Sequence, residues 1–282
     1  MSENEQKRIL MVQDLSFVGR CSALTAIPVV SAAGIECCFV PSMLLTTHTG
    51  FSGATVQSTV DITKSAAKQY KQLGLRFDAF YTGYLGSGAQ LKQTERLIDD
   101  LAANCAAVIV DPAFADNGRL YGGYDDEYPA LMASFCAKAD IIIPNLTEAE
   151  LMLGVPHRQA YDQAYVKELL MRLCESGAKS AVITGLRFEK DKMAIMGFNG
   201  ETGDTFCHSN PYAAANFYGT GDLFASVLVS AFVKGNRLEK SAVIAADFTA
   251  KCAGDGAANE NTDFRFGVRF EHRLRELIDT IG

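Results

Sequence analysis

The run Tyr218-Gly219-Thr220-Gly221-Asp222-Leu223-Phe224-Ala225 sets two glycines and a carboxylate directly before an apolar, helix-forming stretch. The first amides of a helix have no partner within it and, with the helix dipole, favour an anion. Gly219 and Gly221 let the backbone approach a ligand closely, and Asp222 could accept a proton from a nucleophile. The same letters also suit a plain helix start with Thr220 or Asp222 as N-cap. Taken alone, the turn leaves both readings open.

Polar groups of a second kind follow short apolar runs. They are Gln13-Asp14-Leu15-Ser16, Thr47-His48-Thr49-Gly50, Thr82-Gly83-Tyr84, Asp111 with Asp116, Asn145 with Glu148, and Thr184-Gly185. The elements that must position them alternate along the chain. Strand-like runs are expected at Arg8 to Asp14, Ile35 to Val40, Asp78 to Thr82, Ala107 to Val110, Ile141 to Pro144 and Ser180 to Thr184. Between them, helical patterns cover Arg20 to Ala33, Val56 to Leu73, Gln90 to Ala103, Glu127 to Ala137 and Asp162 to Glu175. Such alternation points to an α/β fold with a parallel sheet covered on both faces. Ligands of open α/β sheets gather at the carboxyl ends of the strands, where these polar groups fall. Met193 to Phe198 and Asp204 to His208 read as an antiparallel hairpin, followed by helices Gly221 to Lys234, Leu238 to Gly254 and Phe264 to Ile281.

Composition narrows the classes. Nearly half of the 282 residues are apolar, enough for a sizeable core, and no linker or repeat divides the chain. No stretch approaches the roughly 18 apolar residues of a membrane span, and no signal region follows the polar Met1 to Arg8 segment, so a cytoplasmic protein with no membrane partner is expected. The net charge of −7, with basic residues dispersed, argues against nucleic acid. The eight cysteines contain no CxxC pair and are expected to be reduced and mostly in the core. Neither a G-x-x-x-x-G-K-[ST] loop nor a G-x-G-x-x-G turn after the first strand is present, and no Gly-x-Ser-x-Gly elbow occurs.

Six strings carry a resemblance: Gln13-Asp-Leu-Ser-Phe-Val-Gly-Arg20, Thr47-His-Thr-Gly50, Tyr81-Thr-Gly-Tyr-Leu-Gly86, Asp111-Pro112 with Asp116, Pro144-Asn-Leu-Thr-Glu148 and Gly219-Thr-Gly-Asp222. In this order and approximate spacing the chain resembles the pyridoxal kinases of the ribokinase-like superfamily, from about residue 8 to residue 255. The last string marks the superfamily; the first three indicate its vitamin B6 branch. The resemblance implies one kinase domain over 1–282, a three-layer fold whose mostly parallel central sheet carries helices on both faces. It also implies transfer of the γ-phosphate of ATP, with magnesium, to the 5′-hydroxymethyl group of pyridoxal, pyridoxine or pyridoxamine.

Residue by residue, Asp222 resembles the general base, and the amides of Gly219, Thr220 and Gly221 the anion hole for the transferring phosphoryl group. Ser16 and Thr49 resemble the ring-binding residues. His48 would contact the ring or order its loop, and Tyr84 would cover the pyridine face or close the pocket. Asp111 and Glu148 would serve magnesium through water, with Asn145 near the phosphates; capping is the alternative for Glu148. Thr184 would lie near the phosphates or a monovalent cation such as potassium. A homodimer is implied as well.

One departure stands out. Where the family commonly ends this segment in Gly-Asp, the chain reads Ala113-Phe-Ala-Asp116. Alanine resists a positive φ, so the loop is expected to run differently, with Asp116 the most affected. The alanines and Asn216 within Pro211 to Phe217 could line an entrance. Two rivals remain: a kinase of the same superfamily acting on hydroxymethylpyrimidine or another small alcohol, and a vitamer- or nucleotide-binding sensor without turnover.

Overall fold

In the structure, a computed structural model that describes residues 6–213, 217–258 and 263–282, the first apolar run forms β1 (Arg8–Ser16). Ile9 and Met11 enter one core and Leu10 and Val12 the other, as a strand covered on both faces requires. The remaining strands are β2 (Glu36–Leu45), β3 (Val56–Ser58), β4 (Ala79–Thr82), β5 (Val108–Val110), β6 (Ala115–Asp116), β7 (Arg119–Leu120), β8 (Ile141–Ile142), β9 (Ser180–Leu186), β10 (Lys192–Asn199) and β11 (Thr205–Pro211). Nine of these form one sheet in the order β11-β10-β9-β8-β5-β4-β1-β2-β3; β6 and β7 pair apart. From β2 to β9 every pairing is parallel, whereas β3 at one edge and the β10–β11 hairpin at the other run antiparallel.

Helices cover both faces. On one side lie α1 (Ser22–Ala32) and, from the end of the chain, three more helices; on the other lie α2 (Val60–Gln72), α3 (Gly88–Leu101), α4 (Tyr128–Cys136), α5 (Leu146–Met152) and α6 (Gln163–Glu175). The three that join α1 are α7 (Thr220–Val233), α8 (Leu238–Ala257) and α9 (Leu274–Ile281). The α7 helix is apolar almost all round, with ten buried residues, because it packs between α1 and α8 against the sheet.

Two expected helices are different. The segment from Val56 divides into β3 and α2: Val56, Gln57 and Ser58 pair with Leu45, Leu44 and Met43, and the Thr59 hydroxyl donates to the Pro41 carbonyl at 2.5 Å. An open edge beside β2 captured those residues before the helix began. The stretch from Phe264 to Ile281 is not one helix. A 3₁₀ turn at Phe264–Phe266 ends at Gly267 with φ +82°, a second spans Glu271–Arg273, and only then does α9 start. A Cβ at Gly267 would overlap the Arg20 carbonyl oxygen, so close approach to the loop after β1 interrupts the helical pattern.

Candidate active site

Gly219 is the N-cap of α7, at φ +74°, so neither Thr220 nor Asp222 takes the capping place open to it in the sequence. A glycine supplies no side chain to cover the first-turn amides. Thr220 turns its hydroxyl back to the Phe217 carbonyl at 3.4 Å, and Asp222 stands in the first turn. The position tolerates no side chain, because a Cβ there would overlap the Arg20 carbonyl oxygen. That same oxygen also faces Gly267, so two glycines cradle one carbonyl and draw the β1–α1 loop onto the start of α7. The Arg20 amide donates to the Phe266 carbonyl at 3.0 Å, and its guanidinium bonds Glu271 at 2.6 Å, closing the clasp.

This clasp delivers Ser22 to the site. Ser22 opens α1 at φ +47°, a conformation uncommon for a residue with a side chain. Asp222 keeps part of its surface open, yet the surrounding protein pushes its carboxyl above the ordinary range, a push that the Ser22 amide counters. Asp14, at the end of β1, is 3% exposed and its carboxyl is pushed up to about 7, first by burial, against the Ser22 hydroxyl, with the Asp222 charge adding to the rise. Asp111 is raised well above its usual range by burial, then by Glu148 and Asp222. Burial also lifts Glu148 to about 7. Acidic groups from β1, β5, α5 and α7 thus meet at one edge of the sheet. No lysine or arginine stands among the leading influences on any of the four.

Glu148 is occupied. Its Oε1 accepts from the Phe114 and Ala115 amides at 2.9 and 3.3 Å, and its Oε2 from the Asn145 amide at 2.9 Å. Asn145 completes a capping box on α5 and donates from Nδ2 to the Ala115 carbonyl at 2.7 Å. Thr184 lies next to Asn145 across an isolated parallel bridge, so these two share the β8–β9 end of the site. The loop they hold answers the question raised by its alanines. Ala115 stays extended in β6; the positive φ falls on Ala113, at +45°, and on Asn117 and Gly118, at +52° and +74°. Asn117-Gly118 is the tight turn of the β6–β7 ribbon, a pairing of residues suited to successive positive φ angles. Exposed Asp116 is used by that turn, accepting from the Asn117 amide at 2.8 Å.

The ring-side candidates are less uniform. The Ser16 hydroxyl is fully buried and donates to Asp14 Oδ2 at 2.9 Å, so it is engaged within the protein. Both His48 nitrogens have partners: Nε2 lies 2.6 Å from the Arg265 carbonyl, and Nδ1 accepts from the Gly50 amide at 3.1 Å. That fixes the Nε2–H tautomer and ties the loop after β2 to the C-terminal 3₁₀ turn. Thr49 is exposed beside it. Tyr84 is half-buried, edge-on to Tyr124 at 5.7 Å, and its phenol is raised by burial and by Asp14. The strand ends therefore bring together Asp14, Tyr84, Asp111, Glu148 and Asp222, with His48 beside Asp222. Ala214, Ala215 and Asn216 lie outside the described residues.

Asp14 and Ser22 carried no assigned role in the sequence. A carboxylate closing the first strand, five residues after an apolar start, was the available sign of Asp14. Ser22 had none, since its place depends on a left-handed turn.

The model of the phosphomethylpyrimidine kinase family matches residues 27–263. The chain belongs to that family. Its relatives include the hydroxymethylpyrimidine/phosphomethylpyrimidine kinase of Bacillus subtilis, 28% identical over 176 residues, a match that spans 62% of each protein. The chain thus spans about three fifths of the length of that relative. Among solved structures, a candidate phosphomethylpyrimidine kinase from Bacteroides thetaiotaomicron is 32% identical with a TM-score of 0.93, covering 98% of this chain and 96% of that one. A second crystal form of that protein contains pyridoxal. The pyridoxal kinase of Lactobacillus plantarum is 28% identical, with a TM-score of 0.88 and 98% of both chains covered. This phosphomethylpyrimidine kinase family member therefore has the ribokinase-like three-layer fold, with pyridoxal kinases among its structural neighbours.

Proposed function

We propose that the chain is an ATP-dependent kinase that phosphorylates the 5′-hydroxymethyl group of pyridoxal, pyridoxine or pyridoxamine. One observation carries the reading: Asp222 stands in the first turn of a helix capped by a glycine, beside amides left without a side-chain cap. A base and an anion hole are then side by side, which is what phosphoryl transfer to an alcohol needs. Asp222 takes the hydroxyl proton as the oxygen attacks the γ-phosphorus, and the amides of Thr220 and Gly221, with the close-packed Gly219, stabilise the transferring group. Burial makes this carboxylate a better base than a free one, because it raises the affinity for the proton. Support for a pyridoxal-type acceptor comes from Tyr84 beside the site and from the 32%-identical Bacteroides protein, whose structure contains pyridoxal.

The four acidic groups would repel a nucleotide, so its phosphates must arrive with cations. Magnesium fits as an ion held on phosphate oxygens and waters. Glu148 has given both carboxylate oxygens to amides, and among the described residues no group of three or more acidic, histidine or cysteine side chains is set to enclose a metal. Asp111 is the acidic group left to face it, with Glu148 holding the loop on which Asp111 depends. Bound magnesium would offset charge on the γ-phosphate; Thr184 and Asn145 border the same end, where a potassium ion would also act. We place the protein in the cytoplasm as a homodimer with a single kinase domain.

Hydroxymethylpyrimidine is the second acceptor to consider, favoured by the family model and the Bacillus relative. The experiment is a direct product assay with ATP and magnesium, using each vitamer and hydroxymethylpyrimidine, with and without potassium. Phosphorylated vitamer at higher kcat/KM than phosphorylated pyrimidine supports the reading; the reverse order replaces it. Vitamer binding without any phosphorylated product would make the protein a sensor.

A further inference from the structure

Four aromatic rings run from Tyr84 to the loop that Glu148 holds. Tyr84, just after β4, meets Tyr124 edge-on at 5.7 Å, and Tyr124 meets Tyr128 at the start of α4 with centroids 3.9 Å apart. Tyr128 meets Phe114 at 5.7 Å, and Phe114 carries one of the amides bound to Glu148. Tyr128 is buried and its hydroxyl has no hydrogen-bond partner among the described residues, so packing alone holds its ring. Tyr124 differs: its hydroxyl accepts from the Gly86 amide at 2.9 Å. Gly86 lies two residues beyond Tyr84 at φ +77°, where a Cβ would overlap the Met43 thioether. On the near side, the Ser42 hydroxyl donates to the Tyr84 carbonyl at 2.7 Å. The backbone around Tyr84 is thus fixed from β2 by one bond and from the loop between β7 and α4 by another, while the Tyr124 ring braces the Tyr84 ring itself.

We propose that Tyr124 is a positioning residue for the acceptor, holding the Tyr84 ring in the place where a heteroaromatic alcohol packs against it. The inference rests on the reading of the chain as a kinase of such an alcohol, and extends it to a residue with no role so far. A half-buried tyrosine without a brace samples more than one rotamer, and binding a ring against it then includes the cost of ordering it. The edge-on contact and the Gly86 bond order Tyr84 before the acceptor arrives. Tyr124 stands on a different loop from the glycine turn of α7, so its influence falls on capture of the acceptor ring and not on transfer of the phosphoryl group.

The test compares the parent with Tyr124→Phe and Tyr124→Leu. It reads kcat, KM for ATP and KM for pyridoxine or hydroxymethylpyrimidine, whichever binds more tightly, with the Kd of that acceptor from calorimetric titration. Tyr124→Phe keeps the ring and strands the Gly86 amide, so acceptor KM and Kd should rise about threefold to tenfold. Tyr124→Leu loses the ring contact as well and should raise both roughly tenfold to a hundredfold. In both variants kcat and the KM for ATP should stay within about twofold of the parent, the pattern of lost acceptor binding. In a Tyr84→Ala background, Tyr124→Leu should change acceptor Kd by less than about twofold, because it acts through Tyr84. Unchanged acceptor constants in both variants, an equal rise in the KM for ATP, or full additivity with Tyr84→Ala would overturn the inference and leave the kinase reading standing. If the parent binds an acceptor without forming product, the kinase reading has failed and the titrations alone decide the role of Tyr124. A parent that binds neither acceptor overturns both.

Discussion

At the scale of single residues, Asp222 and Glu148 show how similar carboxyls are used for different ends. Asp222 keeps an open surface in the first turn of α7, whereas Glu148 spends its oxygens on three backbone amides. Replacing Asp222 with Asn should lower kcat by roughly 10²–10⁴ with little change in thermal midpoint, the range for a lost general base. Equal turnover by mutant and parent would sink that assignment. Glu148→Gln offers one acceptor oxygen where two were used, so it leaves amides of Asn145 or the Phe114–Ala115 pair unpaired. A loss of about 1–3 kcal/mol is expected in denaturant unfolding, the cost of stranded buried donors. Ala113 supplies the converse case. It stands at φ +45° directly before the two amides that Glu148 holds, and Ala113→Gly should relieve about 1 kcal/mol of left-handed strain, partly offset by the freer unfolded chain. An unchanged or lower midpoint would mean that the loop is held without strain.

At the scale of elements, the decisive contact joins three segments that are distant in sequence. The β1–α1 loop, the start of α7 and the C-terminal 3₁₀ turn meet around the Arg20 carbonyl. Gly219→Ala must accept both a positive φ and an overlap with that carbonyl, so the helix start must shift away from Ser22. Turnover should fall far more than stability, since the first-turn amides and Asp222 move together. Gly267→Ala meets the same oxygen from the other side, outside the proposed chemistry. It should destabilise by about 1–2 kcal/mol from left-handed strain, with the overlap adding to it, and raise KM by loosening the loop that holds His48. Equal kinetics for Gly267→Ala and the parent would show that the clasp does not reach the site.

At the scale of the whole molecule, two sets of carboxyls pull stability in opposite directions with pH. Asp14 and Glu148, both at about 7, and Asp111 and Asp222, also raised, bind protons more tightly when folded. Between their unfolded values and the raised ones the native state holds more protons, so stability falls as pH rises. Asp255 behaves the other way: its bonds to Arg273 and His272 hold it down to about 2, and that stabilisation is lost as pH falls towards this value. Asp263, paired with Arg265, and Glu276, bonded by Lys251 and Arg273, follow the same sign. The thermal midpoint of the ligand-free chain should therefore rise as pH is lowered from about 8 to about 5.5, then decline below about 4. Magnesium with ATP should flatten the upper slope by supplying the missing positive charge. A midpoint that climbs steadily from pH ~6 to ~8 without ligand would contradict the raised cluster.

Local chemistry determined much of this protein. Alternating apolar runs and helical patterns specified a parallel sheet covered on both faces, since each run must bury its own side chains. The glycine turn before α7 showed by residue type a helix start open either to an anion or to a plain cap, and the polar groups fall at the strand ends, where ligands of such sheets gather. Other features had no local sign. Val56 to Ser58 became a strand because β2 offered an unpaired edge, and Phe264 to Ile281 broke because Gly267 had to pass the Arg20 carbonyl. The sequence offered Thr220 or Asp222 as a cap; packing against Arg20 gave the place to Gly219 and left Asp222 beside the uncapped amides. Likewise, the partner of the Ser16 hydroxyl, the amides gripped by Glu148 and the burial of Asp14 became definite only when β1, α1, α5 and α7 met. Residue type decides what a group can do; the distance and dryness that tertiary packing imposes decide which of those things it does.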